Sequence, residues 1–136
     1  MISKIQSVQN AAARIITLSR KSDHITPILI DLHWLPVSER VKFKILLTTF
    51  KAIHQMAPSY ISDMISLYKP PRLLRSSSGI SLKHQNYNMK TYGHRSFSVC
   101  APELWNSLPL SLRNSTNLAF FKSSLKTFLF KQVFKL

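Results

Sequence analysis

Between Pro36 and Pro58 the chain runs without proline or glycine, and apolar side chains recur through every turn: Phe43, Ile45, Leu46, Leu47, Phe50, Ile53 and Met56. This run predicts a long helix over about 36–56. Pro36 falls in the first turn, where a missing N–H costs little, and Glu39 suits the positive end of the helix. Ala57-Pro58 ends it, because the residue before a proline is pushed out of the helical region. An apolar arc this broad makes the helix central to a core. Its narrow polar face carries Arg40, Lys44, Thr48, Lys51 and Gln55.

The rest of the chain is read against that spine. Residues 2–20 form an amphipathic pattern in which Ile5, Val8, Ala12, Ile15 and Ile16 share one helical face. A short helix over about 26–32 accommodates Pro27 near its start, and another opens at Pro58-Ser59 and runs to about 67. The stretch KPPRLLRSSSG, 69–79, breaks any periodic element. In residues 80–93 helical periodicity is poor, and Ile80-Ser81-Leu82 and Met89-Lys90-Thr91-Tyr92 are candidates for the strands of a hairpin near residues 80–92. Phe97, Ala101, Leu104, Trp105 and Leu108 trace a helical face interrupted by Pro102. Either two helical turns meet at a kink, or a helix starts with Pro102 at its first position. Thr116 or Asn117 can cap a last helix over about 117–134, with a stripe of Leu118, Phe121, Leu125, Phe128 and Leu129. The expected fold is mainly α, a small bundle of about five to six helices with that short β-hairpin as its one β element. It is organised as an N-terminal helical part (1–68), a basic loop (69–93) and a C-terminal helical part (94–136) packing on the first within one domain.

Size and hydropathy allow this: 136 residues with 45% hydrophobic content can bury a core and do not resemble a disordered chain. Chemistry is harder to find. Two glycines cannot build a phosphate-cradling loop, and neither G-x-x-x-x-G-K-[ST] nor G-x-G-x-x-G occurs. The five acids, Asp23, Asp31, Glu39, Asp63 and Glu103, are scattered, whereas two-metal phosphoryl transfer needs clustered carboxylates. No H-x-x-x-H pair occurs among the histidines. The lone Cys100 permits no internal disulfide and no Cys-based zinc site, and reads as a small apolar residue. The expectation is a chain with no enzymatic activity, no metal, no cofactor and no small-molecule substrate. No apolar run is long enough to span a membrane, and no membrane partner is expected.

What remains is charge. Nineteen Lys and Arg against five acids give +14, a field that draws a chain toward polyanions. Arg40, Lys44 and Lys51 fall on one side of the long helix, at a spacing that can follow a phosphate backbone. Arg72, Arg75, Lys83, Lys90 and Arg95 form a second basic cluster around Tyr87 and Tyr92, a combination suited to single-stranded nucleic acid. The candidate phosphate-contacting residues are Arg40, Lys44, Lys51, Arg72, Arg75 and Arg95.

Three stretches, IQSVQNAAARIITLSRKSDHITPIL, LHWLPVSERVKFKILLTTFKAIHQMAPSYISDMI and YGHRSFSVCAPELWNSLPLSLRNSTNLAFFKSSLKTFLF, resemble in order and spacing the C-terminal end of the reverse-transcriptase polyprotein of non-LTR retrotransposons, the jockey-like and chicken-repeat-like LINE elements. The resemblance covers roughly residues 5–134. It implies a fragment lying beyond the endonuclease and the polymerase core, whose catalytic carboxylates belong upstream and have no counterpart here. The Cys/His knuckle of some related elements is also lacking. By resemblance the region packs beside the upstream polymerase domain and helps hold template RNA or target DNA, in the nucleus or cytoplasm. The alternative is a small basic organellar RNA-binding protein: the first 22 residues contain four basic residues and no acid, as a mitochondrial presequence does.

Overall fold

The computed structural model describes residues 2–70, 79–86, 93 and 95–135. Among them the fold is helical, with α1 (Ile2–Thr17), α2 (Ile25–Asp31), α3 (Val37–Ile53), α4 (Ser59–Ser62), α5 (Phe97–Asn106), α6 (Leu110–Arg113) and α7 (Leu118–Phe134). The mainly α bundle expected from periodicity is what forms. Its short pieces differ in detail. The helix expected to run to about 67 ends after Ser62, because the chain there turns and extends. Tyr68 N–H donates to the Ser81 carbonyl at 2.8 Å and Lys83 N–H to the Ser66 carbonyl at 2.9 Å, so an antiparallel bridge joins Leu67 to Leu82. Ile80–Leu82 thus finds its partner in 66–68. Met89–Tyr92, the other arm of the expected hairpin, lies outside the described residues. Pro102 neither starts a helix nor divides one. It sits inside α5, with no N–H to give to the carbonyl one turn back.

A chain with two glycines must end its helices by other means. Leu18, His33 and Gln55 take left-handed backbone angles, with φ of 54°, 52° and 56°. After each, the next residue's N–H reaches back to a carbonyl of the last turn: Ser19 to Arg14, Trp34 to Leu29 and Met56 to Lys51. These are Schellman closures built without the glycine that usually occupies the left-handed position. Each carries the steric cost of a Cβ there, about 1–2 kcal/mol.

The chain forms two compact units, residues 1–43 with 126–136 and residues 44–125, with the division falling within α3 and α7. In unit 1, Ala13, Ile28 and Leu29 are buried together, with Ile25, Leu32, Trp34 and Phe134 against them. His33 stacks on Phe130 at 5.7 Å, and Phe130 meets Phe134 at 4.7 Å. Here one expectation is overturned. Ile5, Val8, Ile15 and Ile16 of α1 are exposed, Val8 at 69% and Ile15 at 73%. The buried face is the one bearing Gln9 and Ala13. Gln9 Nε2 donates to the Leu35 carbonyl at 2.8 Å, and Gln6 Oε1 accepts the Val37 N–H at 2.8 Å. Val37 is the first residue of α3, so its N–H has no partner within its own helix. Gln6 supplies one from α1. These hydrogen bonds, with Ala13 allowing close approach, set the rotation of α1 against its hydrophobic periodicity.

In unit 2 the stripes turn inward as expected. Phe50, Trp105 and Phe121 are fully buried in mutual contact: Phe50 and Phe121 stack with centroids 4.3 Å apart, and Trp105 is tilted against both, 5.8 Å from Phe121 and 6.5 Å from Phe50. Leu46, Leu82, Val99, Leu108, Leu112 and Leu125 complete this core. Phe43, in the apolar arc of the long helix, is only half-buried. At the start of α7, Asn117 Oδ1 accepts the N–H groups of Ala119 and Phe120 at 2.8 and 3.1 Å, so Asn117 is the cap.

Candidate nucleic-acid interface

Arg40 and Lys44 are exposed on α3 and Lys51 is half-buried there. Arg40 belongs to unit 1, Lys44 and Lys51 to unit 2. Lys44 and Lys51 lie two turns apart on one face, about 10 Å along the axis at 1.5 Å per residue. Among the described residues the one ion pair joins Lys42 Nζ to Glu39 Oε1 at 2.8 Å. Glu39 Oε1 is thus taken by Lys42 while its buried Oε2 has no partner, and Arg40, Lys44 and Lys51 form no ion pair among the described residues. Arg95 is exposed immediately ahead of α5. Arg72 and Arg75 lie outside the described residues, as do Tyr87, Lys90 and Tyr92.

A second basic surface belongs to unit 2, in an open cleft of about 530 Å³. Its floor is held by the Leu104-Trp105-Asn106 motif. Trp105 Nε1 donates to the Ile80 carbonyl at 2.9 Å. One residue on, Asn106 Oδ1 accepts the Leu82 N–H at 3.0 Å and its Nδ2 donates to the Leu82 carbonyl at 2.9 Å. The amide thus satisfies both backbone groups of a buried leucine, as a neighbouring strand would. Asn106 Nδ2 also lies 3.2 Å from His84 Nε2. The cleft walls are Tyr68, Lys83, His84 and Arg113. Arg113 Nη1 donates to Ser81 Oγ at 3.2 Å, while its Nε is buried with no acceptor. Gly79 enters the segment at a φ of 151°, and a Cβ there would stand 2.8 Å from Leu110 Cδ2.

Arg113 and Tyr68 escaped the sequence reading. Arg113 sits in a stretch that reads only as a turn, and nothing in its neighbours signals that 80–84 is folded against it. Trp105 and Asn106 were legible as a motif but not as a clamp.

Reactive chemistry is sparse in the described residues. No three His, Cys, Asp or Glu side chains come together where a metal could sit. Cys100 is half-buried, and its burial pushes the thiol up from the usual range, with Glu103 adding to the effect against an opposing backbone hydrogen bond. A thiol so shifted is a poor nucleophile at neutral pH. Among the described residues no helix is long and apolar enough to cross a membrane.

Comparison of the chain with known protein families, characterised proteins and solved structures returns no match.

Proposed function

We propose that the chain is a non-catalytic tail of a retrotransposon RNA-directed DNA polymerase, one that helps bind nucleic acid beside the polymerase core. The observation that carries the nucleic-acid part is the state of the cations. The chain has nineteen Lys and Arg for five acids, and a single ion pair forms among the described residues. A surface so poorly compensated gains most from a polyanion. The polymerase part rests on the three sequence stretches. It is supported by the work their residues do: the glutamines of IQSVQN hold the backbone of LHWLPV, and the Trp-Asn of LWN holds residues 80–82. Residues this engaged belong to the body of a fold. The same contacts favour this reading over an organellar protein with a presequence, since α1 contributes the fully buried Ala13 to a core.

The test is binding of a labelled single-stranded RNA or DNA to the purified chain, followed by fluorescence anisotropy across salt. Affinity should fall steeply and linearly on logarithmic axes, because each phosphate contact releases counterions. Reversal of Arg40, Lys44 and Lys51 to Glu should lower the slope by roughly one per contact removed. Absence of binding at about 50 mM salt, where phosphate contacts are strongest, would sink the reading.

A further inference from the structure

The cleft of unit 2 is better built for a ligand than any feature of the long helix. We propose that it is a subsite for one nucleotide of a single strand, with Arg113 and Lys83 on the phosphodiester and Tyr68 beneath the base. The proposal rests on the nucleic-acid reading above and goes further by joining Lys83, already named in the second basic cluster, to Arg113 and Tyr68 in one site.

Three observations converge. First, Arg113 is short of acceptors. A guanidinium has five N–H donors. Among the described residues Arg113 has a single hydrogen bond, the one to Ser81 Oγ, and its buried Nε has none. A buried donor left without an acceptor is costly, and no carboxylate lines the cleft to relieve it. An anion against the guanidinium would supply the missing charge, and its fork geometry matches phosphate oxygens. Second, Lys83 is exposed beside it, without an ion pair, on a backbone pinned by its own N–H to Ser66 O at 2.9 Å. Third, Tyr68 is 52% exposed, and its backbone is fixed by the bond to Ser81 O. An exposed ring on a fixed backbone beside two cations offers a stacking platform next to a phosphate grip. That pairing fits an unstacked base and not a duplex, whose bases are covered. Trp105 and Asn106 tie residues 80–82 to α5 by three hydrogen bonds.

The experiment compares the full chain with Lys83→Gln, Arg113→Gln and Tyr68→Leu. Binding is measured to a short single-stranded RNA, to the same sequence as duplex, and to inorganic phosphate. Each cation variant should lower the salt slope for single strand by about one. Tyr68→Leu should weaken single-strand binding by about 5- to 150-fold, the loss of one stacked base, and leave the duplex unaffected. Single-strand binding that all three variants leave intact overturns the subsite while the nucleic-acid reading stands. A wild-type chain that binds no RNA overturns both. Phosphate binding that needs Arg113 but no Tyr68 effect on RNA leaves a bare anion site and overturns the nucleotide assignment. Lys83 and Tyr68 are exposed, so their variants carry the test even where Arg113→Gln unfolds.

Discussion

Unit 2 and unit 1 solve the same problem in opposite ways. Unit 2 closes on large rings: Phe50, Trp105 and Phe121 are fully buried in mutual contact, and the stripes read from helical periodicity are the stripes that pack. Unit 1 closes on a small residue and on amides. Ala13 and Gln9 are buried, while Ile5, Val8, Ile15 and Ile16 of the same helix face outward. Apolar area decides how an element sits when no backbone group is left waiting. Where a helix end offers an orphan N–H, as Val37 does, a hydrogen bond from a glutamine can outweigh it.

The largest test of this contrast is Trp105→Ala. A fully buried ring at the centre of an aromatic cluster should cost about 3–5 kcal/mol by chemical denaturation. A loss well under that range would mean that unit 2 does not depend on its rings, and the contrast would collapse from that side. A smaller effect belongs to the polar clamp. Asn106→Ala leaves both backbone groups of buried Leu82 without partners and should cost about 1–3 kcal/mol. The same variant should weaken binding at the neighbouring cleft, because residues 80–84 would lose their anchor. A neutral outcome would show that Leu82 finds its partners elsewhere.

How far the residues alone could lead follows from the same division. Phe50, Trp105, Phe121 and Leu125 were legible as core because their spacing and hydrophobicity agree with where they end up. The α3 cations were legible because a helix with a narrow polar face has few places to put charge. Three things were not. The rotation of α1 depends on amides meeting backbone groups some 26 and 31 residues away, and no local pattern encodes that. The pairing of 66–68 with 80–82 joins segments separated by more than ten residues of sequence, so neither shows its partner. The cleft needs Tyr68, Lys83 and Arg113 to converge; Lys83 stood out as one cation of a basic cluster, but nothing local links it to Tyr68 or Arg113. Sequence periodicity reports what a helix could bury, while long-range hydrogen bonds decide what it does bury.

That last point gives the smallest predicted effect and the sharpest one. If α1 is turned as described, Ile5→Ser, Val8→Ser and Ile15→Ser should each leave stability within about 0.5 kcal/mol, as exposed substitutions do. If periodicity had set the rotation instead, each of these side chains would be buried, and its loss would cost about 1.5–3 kcal/mol. The two outcomes are separated by more than the error of a denaturation midpoint. Losses in the upper range would put α1 back on its apolar face, and with it would go the claim that Gln6 and Gln9 govern how unit 1 is built.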